Sequence, residues 1–375
     1  MSTAEEPKES LAEALQRVYP ELDAVHEAAT EPVYLVGGAV RDLLLGRGRA
    51  DIDIVVEGDA AALASRLGAE IVSHDRFATA KVSLDGHEVD IAAARTESYP
   101  HPGSLPVVEP AALIEADLAR RDFTINAMAI PLGAEAGLID PHGGRVDLAA
   151  ELLRVLHPGS FVDDPTRALR AARYASRFGF GLEPETEALL RGADLGSVSA
   201  DRRDAELLRL AAEDKAPRAF QLAEEWGLVQ LCDGGLELAE RAAALLAEDP
   251  WRGFVPRDRA LFVAALDARG GEEELAQRQP SPSEGVALAA SHSPLELLIA
   301  RALGADWLDR YLSEWRHVAL EIDGEDLIAA GVPQGPAIGR GLDEALRRKL
   351  EGEVAGREQE LELALEVARS GDGVA

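Results

Sequence analysis

Residues 37–56 read GGAVRDLLLGRGRADIDIVV, and the fold turns on how this stretch is read. Two glycines open an apolar run that carries Arg41 and Asp42 and stops at Gly46, the pattern of a helix with a glycine stop. DIDIVV then alternates and ends β-branched, as a strand does. Residues two apart on a strand share a face, so Asp51 and Asp53 project together while Ile52 and Ile54 pack behind. Two neighbouring carboxylates repel, and one pKa rises unless a cation lies between them. Their oxygens, with phosphate oxygens, suit Mg2+. The glycine turn leaves backbone N–H groups open to a phosphate, and a helix start favours negative charge. Alone, Asp-x-Asp is common on surfaces and Gly-Gly is a turn. In this order they describe a metal–triphosphate site.

Working outward, VYLV (33–36) is a short buried strand and residues 10–29 carry a helical spacing. A helix is expected over 60–68, then strands TAKVSL (79–84) and HEVDIAA (87–93) about an Asp85-Gly86 hairpin turn. Asp90 sits in the second of these. It either completes a two-metal site, activates an attacking hydroxyl, or is a solvated strand position. Residues 95–117 hold four prolines and read as a long loop; ADLARRDFTINAMAI (116–130) reads as one helix. After Pro165 the spacing is almost wholly helical, with breaks at 179–181, 192, 234–235 and 278–284. The expectation is an α+β chain: a head with a mixed sheet and flanking helices, followed by an all-helical remainder.

The 375 residues are 47% hydrophobic, enough for two or three cores. No run of about 18 apolar residues exists, and MSTAEEPKES lacks the basic start and apolar core of a signal peptide. Cys232 is the single cysteine, which excludes an internal disulfide and a cysteine-based zinc site. A cytoplasmic protein is expected, with no membrane partner. The net charge of −30 opposes polyanion binding, but Arg154 to Arg209 holds nine arginines against nine acids. Any nucleic-acid site is therefore local and salt-sensitive. Arg167, Arg170, Arg173 and Arg177 fall on one helical face, where either phosphates lie alongside them or nearby acids pair with them.

Four ordered segments, GGAVRDLLLG…DIDIVV, RRDFTINAMAI (120–130), LIDPHGGRVDL (138–148) and FVDDPTRALRAARYASRFGF (161–180), resemble the class II nucleotidyltransferases. That family comprises tRNA nucleotidyltransferases that add CCA, enzymes that add only A, and bacterial poly(A) polymerases. The likeness covers about residues 33–225, and IDGEDLIAAGVPQGPAIG (322–339) resembles a segment near the family's C-terminus. It implies an N-terminal helix over 1–30, a catalytic head over 31–150, a helical neck over 151–212 and a tRNA-binding body and tail over 213–375. It implies Mg2+ in a two-metal site on Asp51 and Asp53, with Asp90 beside them in catalysis. CTP and ATP are the implied substrates and tRNA the partner. Gly37, Gly38, Arg41, Arg121, Asp122 and Asn126 are the implied contacts to phosphate and ribose, although Asn126 would equally cap a helix. LIDPHGGRVDL matches the family's glycine hinge between head and neck.

By the same resemblance Asp164 and Arg167 face the incoming base, with Arg170 and Arg173 as further nucleotide contacts. Cytosine and adenine each offer an amino donor beside a ring-nitrogen acceptor, which a carboxylate and a guanidinium can read together; uracil and guanine reverse the pattern. A buried polar group left unpaired costs about 1–3 kcal/mol. The family often has Glu-Asp where this chain has Asp163-Asp164, which leaves Asp163 without a role. DRRDAELLRL (201–210) looks like the neck segment in which Arg202 and Glu206 would brace helices. Residues 57–80 lack the basic, aromatic segment of the poly(A) polymerases. ARTESYPHPGSLPVVEP (94–110) supplies the loop that CC-only enzymes lack. The span from HDRFATA to RRDFTINAMAI looks like the A-adding type. CCA addition is expected, with A-only addition as the alternative and poly(A) synthesis behind both.

Overall fold

The computed structural model describes residues 9–68, 79–133, 137–267 and 271–370. HDRFATA begins at His74, so most of that segment lies outside the described residues. The chain divides into two compact units, Met1–Val229 and Gln230–Ala375.

In the first unit, α1 (Leu11–Val18) and α2 (Leu22–Ala28) replace the single helix expected over 10–29. Pro20 separates them, because it carries no N–H and clashes with the preceding turn. Then come β1 (Val33–Val36), α3 (Gly38–Leu44), β2 (Ile52–Val56), α4 (Ala60–Arg66), β3 (Thr79–Leu84) and β4 (His87–Ala93), close to expectation. Asp85 and Gly86 both have positive φ, 49° and 82°, as a two-residue hairpin turn requires. Asp51 falls one residue before β2 rather than inside it.

Two further expectations fail. The stretch 95–117 is not a bare loop: β5 (Arg95–Ser98) and β6 (Val107–Pro110) pair as an antiparallel hairpin, followed by α5 (Ile114–Ala119). Nor is 116–130 one helix. After α5 the Asp122 side chain accepts from Phe123 N (2.8 Å), Phe123 bridges Val155, and a single 3-10 turn spans Thr124–Asn126. The chain then enters β7 (Ala129–Pro131), where Pro131 lies on the sheet's edge and its missing N–H is tolerated. Local side-chain bonding of this kind competes with helix formation.

The sheet runs β3-β4-β2-β1-β7, with only the β2–β4 pair parallel. Leu35, Ile54 and Ile91 fill one face, against which α3 and α4 pack. Tyr34, Val36, Val55 and Ala129 fill the other, under Ile114 and Leu118 of α5. Each such side chain contributes about 1.5–3 kcal/mol when fully buried. Beyond the sheet lie α6 (Gly144–Ala149), β8 (Leu152–Leu153), α7 (Ser160–Asp163), α8 (Thr166–Phe178), β9 (Gly181–Leu182), α9 (Pro184–Leu190), α10 (Ala200–Ala211) and α11 (Ala216–Glu225). Asp53 shares Val55's face of the sheet and so points toward α5 rather than toward α4.

From α12 (Gly235–Ala247) to α20 (Gly356–Ser370) the described residues of the second unit form helices and no strand. Trp251, Trp307 and Trp315 anchor one core with Leu298 and Leu308, and a second gathers Leu327, Ala345 and Ala364. Among the described residues no helix is long and apolar enough to cross a membrane.

The glycine pair of LIDPHGGRVDL is wedged in place. Gly143 is left-handed (φ 75°), and the Asp140 carboxylate accepts from Gly144 N (2.7 Å) and Arg145 N (2.9 Å). A Cβ on Gly144 would stand 2.2 Å from the Thr124 carbonyl oxygen, a backbone atom that cannot swing aside. Gly144→Ala is therefore expected to lower stability by roughly 1–3 kcal/mol in urea denaturation, the usual cost of overpacking. Gly137→Ala, whose Cβ would meet nothing within 4 Å, should stay within about 0.5 kcal/mol of the parent.

Candidate active site

The end of β1 delivers Gly37 at φ 68°, a conformation that glycine adopts without strain. A Cβ there would lie 2.8 Å from Arg121 Nη1 and 3.9 Å from Asp53 Oδ2. Gly37, Arg121 and Asp53 thus converge, as their assignment to one site requires. Arg121 is held from behind. Its Nη2 donates to Asp117 Oδ2 (2.9 Å), while Arg120 Nε donates to Asp117 Oδ1 (2.9 Å) and Arg120 Nη1 to Glu97 Oε1 (2.7 Å). Burial opposes ionisation of Asp117, but the Arg121 and Arg120 guanidiniums outweigh it and hold its carboxyl below the usual carboxylate range.

Asp53 and Asp90 are register partners on β2 and β4, and Asp51 is exposed just before β2. Asp53 keeps an accessible edge but is crowded on its other sides. That crowding raises its carboxyl above the usual range, Arg121 opposes the rise, and the Asp90 and Asp51 carboxylates add to it. Asp90 is paired with Lys81 on the neighbouring strand (Oδ1 to Nζ, 3.1 Å). Among the described residues no three His, Cys, Asp or Glu side chains are grouped to hold a metal ion. The donor set is therefore two carboxylates, with Asp90 set apart by its lysine. Hard oxygen ligands crowded enough to favour a countercharge fit Mg2+, which takes its remaining ligands from phosphate and water.

Arg41, Asn126, Asp122 and Arg170 form a chain of contacts. Arg41 is 3% exposed; its Nη1 donates to Asn126 Oδ1 (2.6 Å), and its guanidinium carbon lies 4.5 Å from the Phe178 ring centre. Asn126 Nδ2 donates to Asp122 Oδ1 (3.0 Å), and Asp122 Oδ2 pairs with Arg170 Nη2 (2.7 Å). Burial works against the Asp122 charge, yet Arg170 and the Asn126 amide hold its carboxyl low. Asn126 belongs to a 3-10 turn and does not cap a helix.

All four arginines of the α8 face line one cleft of about 670 Å³ in this first unit, along with Gly37, Gly38, Arg41, Asp51, Arg121, Asp122, Asn126 and Asp164. Asp53 and Asp90 instead line an adjoining cavity of about 260 Å³ with Lys81; Arg95, Arg120 and Arg121 border both. The main cleft carries nine arginines and five carboxylates, so an acidic chain does hold a local basic site.

The acids that pair with the α8 arginines do not lie beside them in sequence. Arg173 and Arg177 pair with Glu213, and Arg170 with Asp122. Arg167 Nη1 donates to Ser160 Oγ (2.7 Å) and Nη2 to the Arg120 carbonyl (2.8 Å), beside Tyr99. Of the two residues expected to brace the neck helices, Arg202 meets Asp164 (3.0 Å) and Glu206 pairs with Arg209. Of the residues missed at first, Asp117 was findable, since it stands three and four positions before Arg120 and Arg121 on a helix. Glu97, Tyr99 and Glu213 carry no such local signal.

Residues 33–154 match the family model of the poly A polymerase head domain. Over 93% of its length the chain is 34% identical to the A-adding tRNA nucleotidyltransferase of Geobacter sulfurreducens, covering 47% of that protein. It spans less than half the length of the A-adding relatives it matches. It is 36% identical to the CC-adding tRNA nucleotidyltransferase of Deinococcus radiodurans over 87% of each chain. Its fold resembles that of the Thermotoga maritima CCA-adding enzyme complexed with tRNA_CCA, with a TM-score of 0.73 and 30% identity over 96% of this chain and 98% of that one. The chain belongs to the class II tRNA nucleotidyltransferase family.

Proposed function

We propose that the protein adds CCA to the 3′ end of tRNA from CTP and ATP, releasing pyrophosphate. The observation that carries this reading is the Asp164–Arg167 pair, fixed by protein contacts in the arginine-lined cleft. An acceptor beside a donor pairs with the amino group and ring nitrogen of either cytosine or adenine. One pair therefore serves both nucleotides, in place of a template. The hairpin over 95–110 agrees with an enzyme that goes on to the terminal adenosine. Addition of A alone is the second reading, favoured by similarity to the A-adding enzymes.

In this reading the RNA 3′-hydroxyl attacks the α-phosphate and pyrophosphate leaves. Arg121, oriented by Asp117, clamps phosphate oxygens, and Arg170 and Arg173 lie along the nucleotide; fixed donors of this kind stabilise charge as it develops. Arg41, Asn126 and Asp122 keep α8 and the second motif in register, so the base-reading pair and Arg121 keep their separation. Asp51 and Asp53 would hold Mg2+, which when bound neutralises charge on the phosphates and the attacking oxygen. Asp90, the register partner of Asp53, would accept the hydroxyl's proton.

Two outcomes are expected. With transcripts ending before CCA, after C and after CC, CTP plus ATP should complete each to CCA and then stop; UTP and GTP should give at least about tenfold less product, the worth of one unpaired buried group. Growth of only the CC-ended transcript, by one A, would select the second reading, and growth of none would refute both. Separately, Asp51→Ala and Asp53→Ala should each cut addition by roughly a thousandfold, since metal stabilisation is worth several kcal/mol. Filter binding should show tRNA affinity retained, and near-normal addition would remove these residues from the metal role.

A further inference from the structure

The base-reading carboxylate is held asymmetrically. Asp164 lies between α7 and α8, and its Oδ1 accepts from Thr166 N (3.1 Å), Thr166 Oγ1 (2.6 Å) and Arg202 Nη2 (3.0 Å). Among the described residues no donor reaches Oδ2. The threonine bonds are local and belong to the turn itself. Arg202 comes from α10, 38 positions away, and is the one charged donor to this oxygen among the described residues. Its other terminal nitrogen, Nη1, donates to the carbonyls of Gly103 (2.6 Å) and Ser104 (3.3 Å) at the tip of the β5–β6 hairpin.

That tip is fixed to the neck in its own right. Gly103 N donates to the Val162 and Asp163 carbonyls (3.3 and 3.2 Å), and a Cβ on Gly103 would stand 2.5 Å from Ser197 Oγ. The same hairpin carries Tyr99, whose hydroxyl faces Arg167 Nη2 at 3.5 Å. Both members of the reading pair thus touch the hairpin, one through Arg202 and one through Tyr99. Arg202 does not itself line the cleft.

We propose that Arg202 is a specificity-determining positioning residue: by saturating Asp164 Oδ1 and gripping the hairpin tip, it leaves Oδ2 as the single directed acceptor for the base's amino group. The inference rests on the reading of Asp164 and Arg167 as the base-selecting pair. A carboxylate with one oxygen committed cannot rotate to accommodate a base that presents a carbonyl instead of an amine. Without Arg202 it can turn aside, and the penalty on uracil and guanine falls.

Single-nucleotide extension of a CC-ended or unextended tRNA transcript, with each of the four nucleotides, tests this. Arg202→Ala should raise KM for CTP and ATP about tenfold, leave kcat at saturating CTP within a fewfold, and lower the CTP-to-UTP and ATP-to-GTP ratios of kcat/KM by about tenfold, as expected for one charged hydrogen bond. Arg202→Lys, which can reach Asp164 or the hairpin but not both, should fall between. Gly103→Ala, which keeps Arg202 but pushes the tip off the neck, should lower the same ratios. Melting curves identify any variant that fails to fold, and the remaining variants then decide. If rates fall equally for all four nucleotides, or the ratios stay at the parent's values, the role is merely structural and the inference is overturned. A parent protein that extends no transcript overturns the proposed function, and this inference with it.

Discussion

Nine arginines in one cleft repel one another, and this protein keeps them together by giving each a fixed acceptor. Glu213 takes Arg173 and Arg177, Asp122 takes Arg170, and Asp117 takes Arg120 and Arg121. Arg49 is tied to Glu21, Arg95 to Glu97, Arg41 to Asn126 and Asp42, and Arg167 to Ser160 and a backbone carbonyl. Asp117, Glu213 and Glu21 are buried and do not line the cleft, so these acids stand behind the cations, while Asp122 is buried at the cleft wall beside Arg170. Each arginine carries about 2 kcal/mol of rotamer entropy. Folding removes much of it, so a triphosphate need not. Breaking one such pair leaves a buried charge alone, at about 3–5 kcal/mol.

This arrangement also reconciles a net charge of −30 with the polyanionic substrate of the proposed function. The Debye length at physiological ionic strength is about 8 Å. Under the proposed function, an RNA end inside the cleft would respond to the arginines within that distance, while the acids spread over the rest of the chain are largely screened. The acidic surplus still repels RNA at longer range when salt is low. Close contacts weaken and long-range repulsion fades as salt rises, so affinity falls less steeply with salt than the arginines alone would dictate.

Much of the head was legible because its signals are short-range. The β-branched alternation of DIDIVV, the Asp85-Gly86 turn and the glycine-bounded helix depend on neighbours a few positions apart, and the structure keeps them. Residues of the first, second and fourth motifs line one cleft, while Asp53 and Asp90 line the cavity beside it. What stayed hidden depends on distant partners. RRDFTINAMAI looked helical from its apolar content, yet Phe123 pairs with Val155 and Ala129 with the β1 edge, and neither partner is visible from inside the segment. The prolines of 95–117 suggested a loop, but Arg95–Ser98 and Val107–Pro110 lie on either side of them and pair. Arg202 was noticed as a brace, but its partner was not, because Asp164 is 38 residues away.

Gly37 shows how the two scales meet. Its sequence reading was a turn whose bare backbone lets a phosphate approach. The structure adds that the space a side chain would fill is occupied by Arg121 Nη1, 2.8 Å from a Cβ that is absent. The glycine therefore admits a guanidinium as well as a phosphate, and it does so beside Asp53, whose crowding that guanidinium partly offsets. Any side chain at position 37 would push Arg121 away from both Gly37 and Asp53. The first and second motifs meet at this point: Asp53 on β2 keeps the guanidinium that partly offsets its crowding only while the glycine turn leaves room for Arg121, two residues beyond α5.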